Sequence, residues 1–202
     1  MKKIVFYLCY LAALVIGILF LVFSGASRAA EAPDSIKGLM IATGIILIIP
    51  GFVVLLKSLM PKRDAAGNVV TRPWYTTAIS IACLAWGIML LCIPSMYNTL
   101  STTLGITLIL AGFGQMVFIV NSSRPYGLSL AWYIVPICMI CVGVIDMTLI
   151  NDYSNVGDSN CTTAIISGIM LILFAANGFV SVGRRKAAMK SVDASTREIN
   201  PR

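Results

Sequence analysis

Three apolar stretches of this chain open in the same way: Gly44-Ile45-Ile46-Leu47-Ile48-Ile49, Gly105-Ile106-Thr107-Leu108-Ile109-Leu110 and Gly168-Ile169-Met170-Leu171-Ile172-Leu173. Seven positions after each first glycine stands another small residue, Gly51, Gly112 and Ala175. A step of seven returns to the same helix face after two turns, so each stretch offers a smooth stripe on which a neighbouring backbone can pack closely. The recurrence predicts a helical membrane protein built by repetition. A second set, Gly17-Ile18, Gly87-Ile88 and Gly143-Val144, occupies one slot in the alternate spans. We therefore assign helix packing to Gly17, Gly44, Gly51, Gly87, Gly105, Gly112, Gly143 and Gly168.

Composition supports this class. Hydrophobic residues form 58% of the chain and charged residues 11%, against about 45–50% and 25% in an ordinary soluble domain. Six runs are long enough for a bilayer core that takes roughly 20 helical residues. They are Ile4 to Phe23, Gly38 to Leu56, Trp74 to Ile93, Thr99 to Val120, Leu128 to Ile150 and Cys161 to Val182. Runs of this length, without alternation, exclude a β-barrel. The expected fold is an all-α membrane protein, with six transmembrane helices arranged as three repeated helical hairpins over 4–56, 74–120 and 128–182. Together they form a single domain, 1–182. The short connection after Ile93, containing Pro94, makes the third and fourth spans antiparallel neighbours, and by analogy pairs the first with the second and the fifth with the sixth. The connection from Lys57 to Pro73 has turn chemistry at Gly67-Asn68. Residues 183–202 read as a basic, disordered cytoplasmic tail.

Basic residues orient the spans. With both termini in the cytoplasm, only Arg28 and Lys37 of the 15 lysines and arginines fall outside, a positive-inside bias. The expected location is a bacterial-type inner (plasma) membrane, crossed several times. The net charge of +7 then reflects topology and anionic head groups, not a nucleic-acid partner. Met1-Lys2-Lys3 with Ser27-Arg28-Ala29-Ala30 resembles a cleaved signal, yet the apolar run is longer than the 7–15 residues or so of a signal core. A retained first helix is expected.

The middle unit, Trp86-Gly87-Ile88-Met89-Leu90-Leu91, then Pro94, then Leu104-Gly105-Ile106-Thr107-Leu108-Ile109-Leu110-Ala111-Gly112, is similar to the short membrane repeat of the HdeD-type acid-resistance proteins. In that family a Gly-Ile helix ends in a proline and is followed by a helix containing Leu-Gly and a later glycine. The resemblance implies six membrane helices and a role in envelope stress or acid tolerance. Pro94 has no counterpart in the first and third outer loops, which are longer and acidic.

Catalytic chemistry finds little footing. The chain has no histidine, which removes the commonest general base and metal ligand. Cys138-Met139-Ile140-Cys141 has metal-motif spacing but lies inside an apolar helix with no second ligand pair, so small packing residues are the simpler reading. Cys92 and Cys161 lie near outer helix ends, where a disulfide is an open alternative. Gly112-Phe113-Gly114 sits within a span and is not a phosphate loop. No catalytic residue, cofactor site or metal site is assigned, and an enzyme is not expected.

Polar residues inside the spans are the remaining candidates. Gln115 and Asn177 are expected at similar depth, hydrogen-bonding to each other or to backbone, or lining a polar pocket. Pro50 and Pro136 are expected to kink their helices. Asp146 is the only aspartate, glutamate, lysine or arginine within a span, about one turn from the outer end. It is expected either at the interface within reach of water or partly buried in the bundle, with Lys37 or Arg28 as its possible outer partners. Two functions stay open: a non-enzymatic envelope protein of stress tolerance, or a small-solute or proton-linked transporter or channel. Odd-numbered triplication weighs against the second, since two-fold repeats dominate secondary transporters. The partners expected are the lipid bilayer, a homo-oligomer as an open alternative, and an unidentified small molecule.

Overall fold

An apolar run surrounded by lipid can satisfy its backbone N–H and C=O groups only internally, which makes the helix its default structure. The computed structural model describes residues 2–25, 34–60, 62–63, 69–70, 74–93, 100–123, 130–148 and 156–199. Its helices are α1 (Lys2–Val22), α2 (Asp34–Leu59), α3 (Trp74–Cys92), α4 (Leu100–Ser123), α5 (Ile134–Thr148) and α6 (Val156–Ile199). Asp34 and Lys57 occupy the first and last turns of α2, each complementing the helix dipole at its end. A two-residue antiparallel ladder, β1 (Lys62–Arg63) with β2 (Val69–Val70), brackets the expected Gly67-Asn68 turn. Those two turn residues, Pro94, Arg28 and the segment 26–33 lie outside the described residues.

Five segments are long and apolar enough to cross a membrane: Ile36–Leu59, Trp74–Cys92, Leu100–Val120, Ala131–Thr148 and Asp158–Ser181. The described apolar part of α1, Tyr7–Val22, is shorter. Around the bundle the outward faces are apolar too, with Leu8, Leu11, Val15 and Ile18 on α1, Ile41, Ile45, Ile49 and Phe52 on α2, and Ile137, Val144 and Ile145 on α5 all exposed. Contiguous apolar surface of this extent has no place in water, and it suits a multi-pass membrane protein in contact with lipid.

The glycines choose partners that the hairpin reading did not. A Cβ on Gly44 would lie 3.1 Å from the Gly87 carbonyl oxygen, and one on Gly51 would lie 3.2 Å from that of Ser80, so α2 packs closely on α3. A Cβ on Gly105 would meet the Gly143 carbonyl at 2.7 Å, and one on Gly112 that of Pro136 at 2.8 Å, joining α4 to α5. Gly17 and Gly168 face each other in the same way, each carbonyl 2.8 Å from the other's Cβ position, joining α1 to α6. All three contacts run antiparallel between one unit and the next, with α6 returning to α1. Close packing within each hairpin is therefore corrected: sequence neighbours touch, but the smooth stripes face the adjoining unit. Gly178, absent from the sequence assignment, packs on the Tyr10 ring at the level where Ala175 replaces a glycine.

Two boundaries differ from expectation. The fifth span begins with a 3₁₀ turn, Leu130–Tyr133, and Pro136 is the third residue of α5, where a missing N–H costs least. Pro50, by contrast, lies inside an uninterrupted α2. The expected disordered tail is also corrected, because α6 continues as helix to Ile199. Once a long helix is nucleated, each further residue adds a hydrogen bond at little cost. Arg184-Arg185-Lys186-Ala187-Ala188-Met189-Lys190 are all good helix formers with no proline among them.

Candidate functional site

The helices enclose a cavity of about 380 Å³ between α1, α2, α3, α4 and α6. It extends from Thr43 and Thr107 at mid-bundle to Lys57 and Phe118 near the ends of α2 and α4. From Thr43 to Lys57 is 14 residues of helix, about 21 Å at 1.5 Å per residue. Ile16, Ile46, Leu47, Leu110 and Leu171 make its deeper wall apolar, while Thr76, Gln115 and Lys57 lie toward the other end. This volume falls in the range of small-molecule sites, which run from about 300 to 1,000 Å³.

Most hydroxyls on the wall are already engaged by their own helices. Thr43 Oγ1 donates to the Leu39 carbonyl at 2.8 Å, Ser80 Oγ to that of Thr76 at 2.7 Å, and Thr107 Oγ1 to that of Thr103 at 2.8 Å. Thr107 Oγ1 also accepts from Trp86 Nε1 at 3.0 Å, tying α3 to α4. Gln115 differs. Its Nε2 donates to the Phe174 carbonyl at 3.0 Å, across the bundle on α6. That carbonyl needs a donor, which fixes the amide orientation and leaves Oε1 as the other end. Gln115 is 2% exposed, and Oε1 has no partner among the described residues. Pro50 adds a second feature, because it offers no N–H to the carbonyl of Ile46 four residues earlier, and both residues line the cavity.

Asn177 does not meet Gln115. Its Nδ2 donates to the Trp132 carbonyl at 3.3 Å. Trp132 stands four residues before Pro136, so Asn177 supplies a donor where the proline has none. Replacing Asn177 with leucine is expected to lower stability by about 1 kcal/mol, and the pair Asn177→Leu with Pro136→Ala should recover part of it. Thermal unfolding in detergent checks this; equal losses from Asn177→Leu in both backgrounds would separate the amide from the proline.

Asp146 follows the buried of its two expected positions, not the interfacial one. It is fully buried, and neither carboxyl oxygen has a hydrogen-bond partner among the described residues. Lys37 is engaged instead by Asp34 at 3.5 Å on the exposed first turn of α2. The reason is helical phase rather than depth: Asp146 follows Gly143 by three residues, as Leu90 follows Gly87 and Phe20 follows Gly17. All three positions are buried, so one carboxyl occupies a core slot that two apolar side chains fill elsewhere. Asp146 does not line the cavity. Thr163 Oγ1 and Ser167 Oγ, one turn apart on α6, are likewise buried without partners among the described residues.

The cysteines bear no chemistry in common. Cys138 and Cys141 are exposed on α5, facing outward rather than filling the packed interior as expected, while Met139 between them is buried. Cys92 is exposed, Cys161 is buried, and both are free thiols. Cys9 and Cys83 line the cavity. Comparison with protein-family models, with curated proteins and with solved structures finds no match for this chain.

Proposed function

We propose that this protein is a non-enzymatic, multi-pass protein of a bacterial-type inner membrane, built as three tandem helical hairpins with both termini cytoplasmic, that admits a small solute to its cavity as a transporter or channel. One observation carries the reading: a buried amide oxygen, Gln115 Oε1, is left without a protein partner on the wall of a cavity of about 380 Å³. Buried polar atoms are normally satisfied, and an orphan beside empty volume is where a bound molecule would complete the structure. The HdeD-type resemblance suggests the physiological setting, envelope stress or acid tolerance, and with it weak acids or protons as cargo.

Reconstituted liposomes test the proposal. Acidification of an internal pH dye after addition of small weak acids is expected to run several-fold faster than in protein-free liposomes. Ala111→Trp, which fills the cavity from α4, should remove the acceleration while leaving unfolding unchanged. Flux equal to the protein-free leak would reject transport and favour a stress-tolerance protein that moves no solute.

A further inference from the structure

We infer that the cavity takes an uncharged aliphatic molecule whose head both donates and accepts a hydrogen bond, such as an alcohol, a primary amide or an undissociated carboxylic acid, held between Tyr10 Oη and Gln115 Oε1. This rests on the reading that the cavity binds a solute, and it names the solute's chemistry.

Both groups rest on one residue of α6. The Tyr10 ring packs on the Phe174 ring with centroids 5.3 Å apart, and Gln115 Nε2 donates to the Phe174 carbonyl at 3.0 Å, so the two side chains flank Phe174 from α1 and α4. All three residues line the cavity. Phe179, with its ring centroid at 6.0 Å, and Gly178, whose Cβ would overlap the ring, hold Tyr10 from the same helix. Tyr10 is 5% exposed, and its Oη has no hydrogen bond among the described residues. A buried phenol normally finds one. Nor do the two groups meet each other, since Gln115 Oε1 is also without a partner there; a molecule in the cavity can join them.

Their chemistry sets the head of that molecule. Gln115 Oε1 can only accept, whereas Tyr10 Oη can donate. A single hydroxyl answers both, accepting from Tyr10 and donating to Gln115, and so does a primary amide or an undissociated carboxyl. A carboxylate has no donor and would set its charge against the amide oxygen. An ammonium head would be buried without a counter-charge, because Lys57 is the one charged residue on the described wall. Lys57 already has an interaction within the protein, so the head group is set by Tyr10 and Gln115 alone. Ile16, Leu47 and Leu171 line the deeper wall, and the hydroxyls of Thr43 and Thr107 there donate to their own backbones. The tail is therefore apolar.

Photolabelling of the full chain in nanodiscs of zwitterionic lipid tests this, with an octanol carrying a diazirine on its chain as probe. The competitors are octan-1-ol, octanamide, octyl methyl ether and octanoate at neutral pH, each corrected for its partition into empty nanodiscs. Adducts on cavity residues, mapped by mass spectrometry, report the site rather than the surrounding lipid. Octan-1-ol and octanamide are expected to suppress them at similar concentrations. The ether accepts but cannot donate, and should need about threefold to tenfold more; octanoate, which brings a charge, should need about tenfold more or beyond. Tyr10→Phe keeps the ring packing and should weaken octan-1-ol and the ether alike, by about threefold. Gln115→Met should instead bring octan-1-ol down to the level of the ether. The ranking in the parent needs no variant to fold. If the ether or octanoate competes as well as octan-1-ol, or if Tyr10→Phe changes nothing, the head-group assignment falls while solute binding stands. If no competitor suppresses the cavity adducts, or if Ala111→Trp retains them, the cavity reading itself falls.

Discussion

Replacing Gly143 with alanine is expected to destabilise the bundle by about 2–3 kcal/mol, at the upper end of what overpacking usually costs. The added methyl would sit 2.5 Å from the Gly105 carbonyl oxygen, 2.7 Å from Ile109 Cγ1 and 3.2 Å from Ile109 N. Two of those atoms are backbone, so no change of rotamer relieves the clash. Helices α4 and α5 must separate, and the loss of packing spreads along both. Gly114→Ala is the matched control, because nothing lies within 4 Å of its Cβ position. There alanine should be neutral or should stabilise by about 0.5–1 kcal/mol through helix propensity. Thermal unfolding in one detergent gives the comparison, and equal melting temperatures for the two variants would deny the close approach of α4 to α5.

Asp146→Leu is expected to have the opposite sign and a comparable size. Burying a polar group without a hydrogen-bond partner costs about 1–3 kcal/mol on mutational scales. Asp146 is fully buried with neither oxygen partnered among the described residues, in a slot occupied by Phe20 and Leu90 in the other units. Leucine there should raise stability by about 1–3 kcal/mol, visible as a higher melting temperature. Leu90→Asp, the reciprocal change, should lower it by a similar amount. If both Asp146→Leu and Asp146→Asn leave the melting temperature where it was, the carboxyl has a compensating partner such as water.

The sequence and the structure part company where helix phase must be joined to helix partner. Periodicity placed Gly44, Gly105 and Gly168 on stripes, but a stripe does not say which neighbour it meets. Loop length points to the sequence neighbour, and successive helices do touch. The closest approach nevertheless belongs to another face, where Gly44 meets Gly87, Gly105 meets Gly143 and Gly17 meets Gly168. The last contact joins residues 151 apart, beyond any local rule. Asp146 stands out in the sequence, and its distance from the helix end leaves an interfacial and a partly buried position both open. Its three-residue step from Gly143 shared with Phe20 and Leu90 was the better signal. Asn177 reads as a cross-bundle donor, and counting back four from Pro136 points to its acceptor, Trp132. The cavity was not legible, because its wall is drawn from five helices and depends on how they are arranged. The helical continuation past Gly183 was hidden by a composition that reads as polar tail, although its residues favour helix once the span has started one.

A solute admitted to the cavity as proposed has its way in at the Lys57 end, where α2 finishes. Val54 lines the cavity one turn before Lys57, at the level of Gln115 in the repeat register, whereas Ile137 is exposed on α5 and lies off the cavity. In a cysteine-free background, Val54→Cys in sealed membrane vesicles should react with a water-soluble maleimide supplied from the cytoplasmic side. A small weak acid supplied as cargo should slow that reaction and leave the labelling of Ile137→Cys unaffected. A Val54→Cys thiol that reacts from neither side, or that reacts at the same rate with and without the weak acid, would contradict the account.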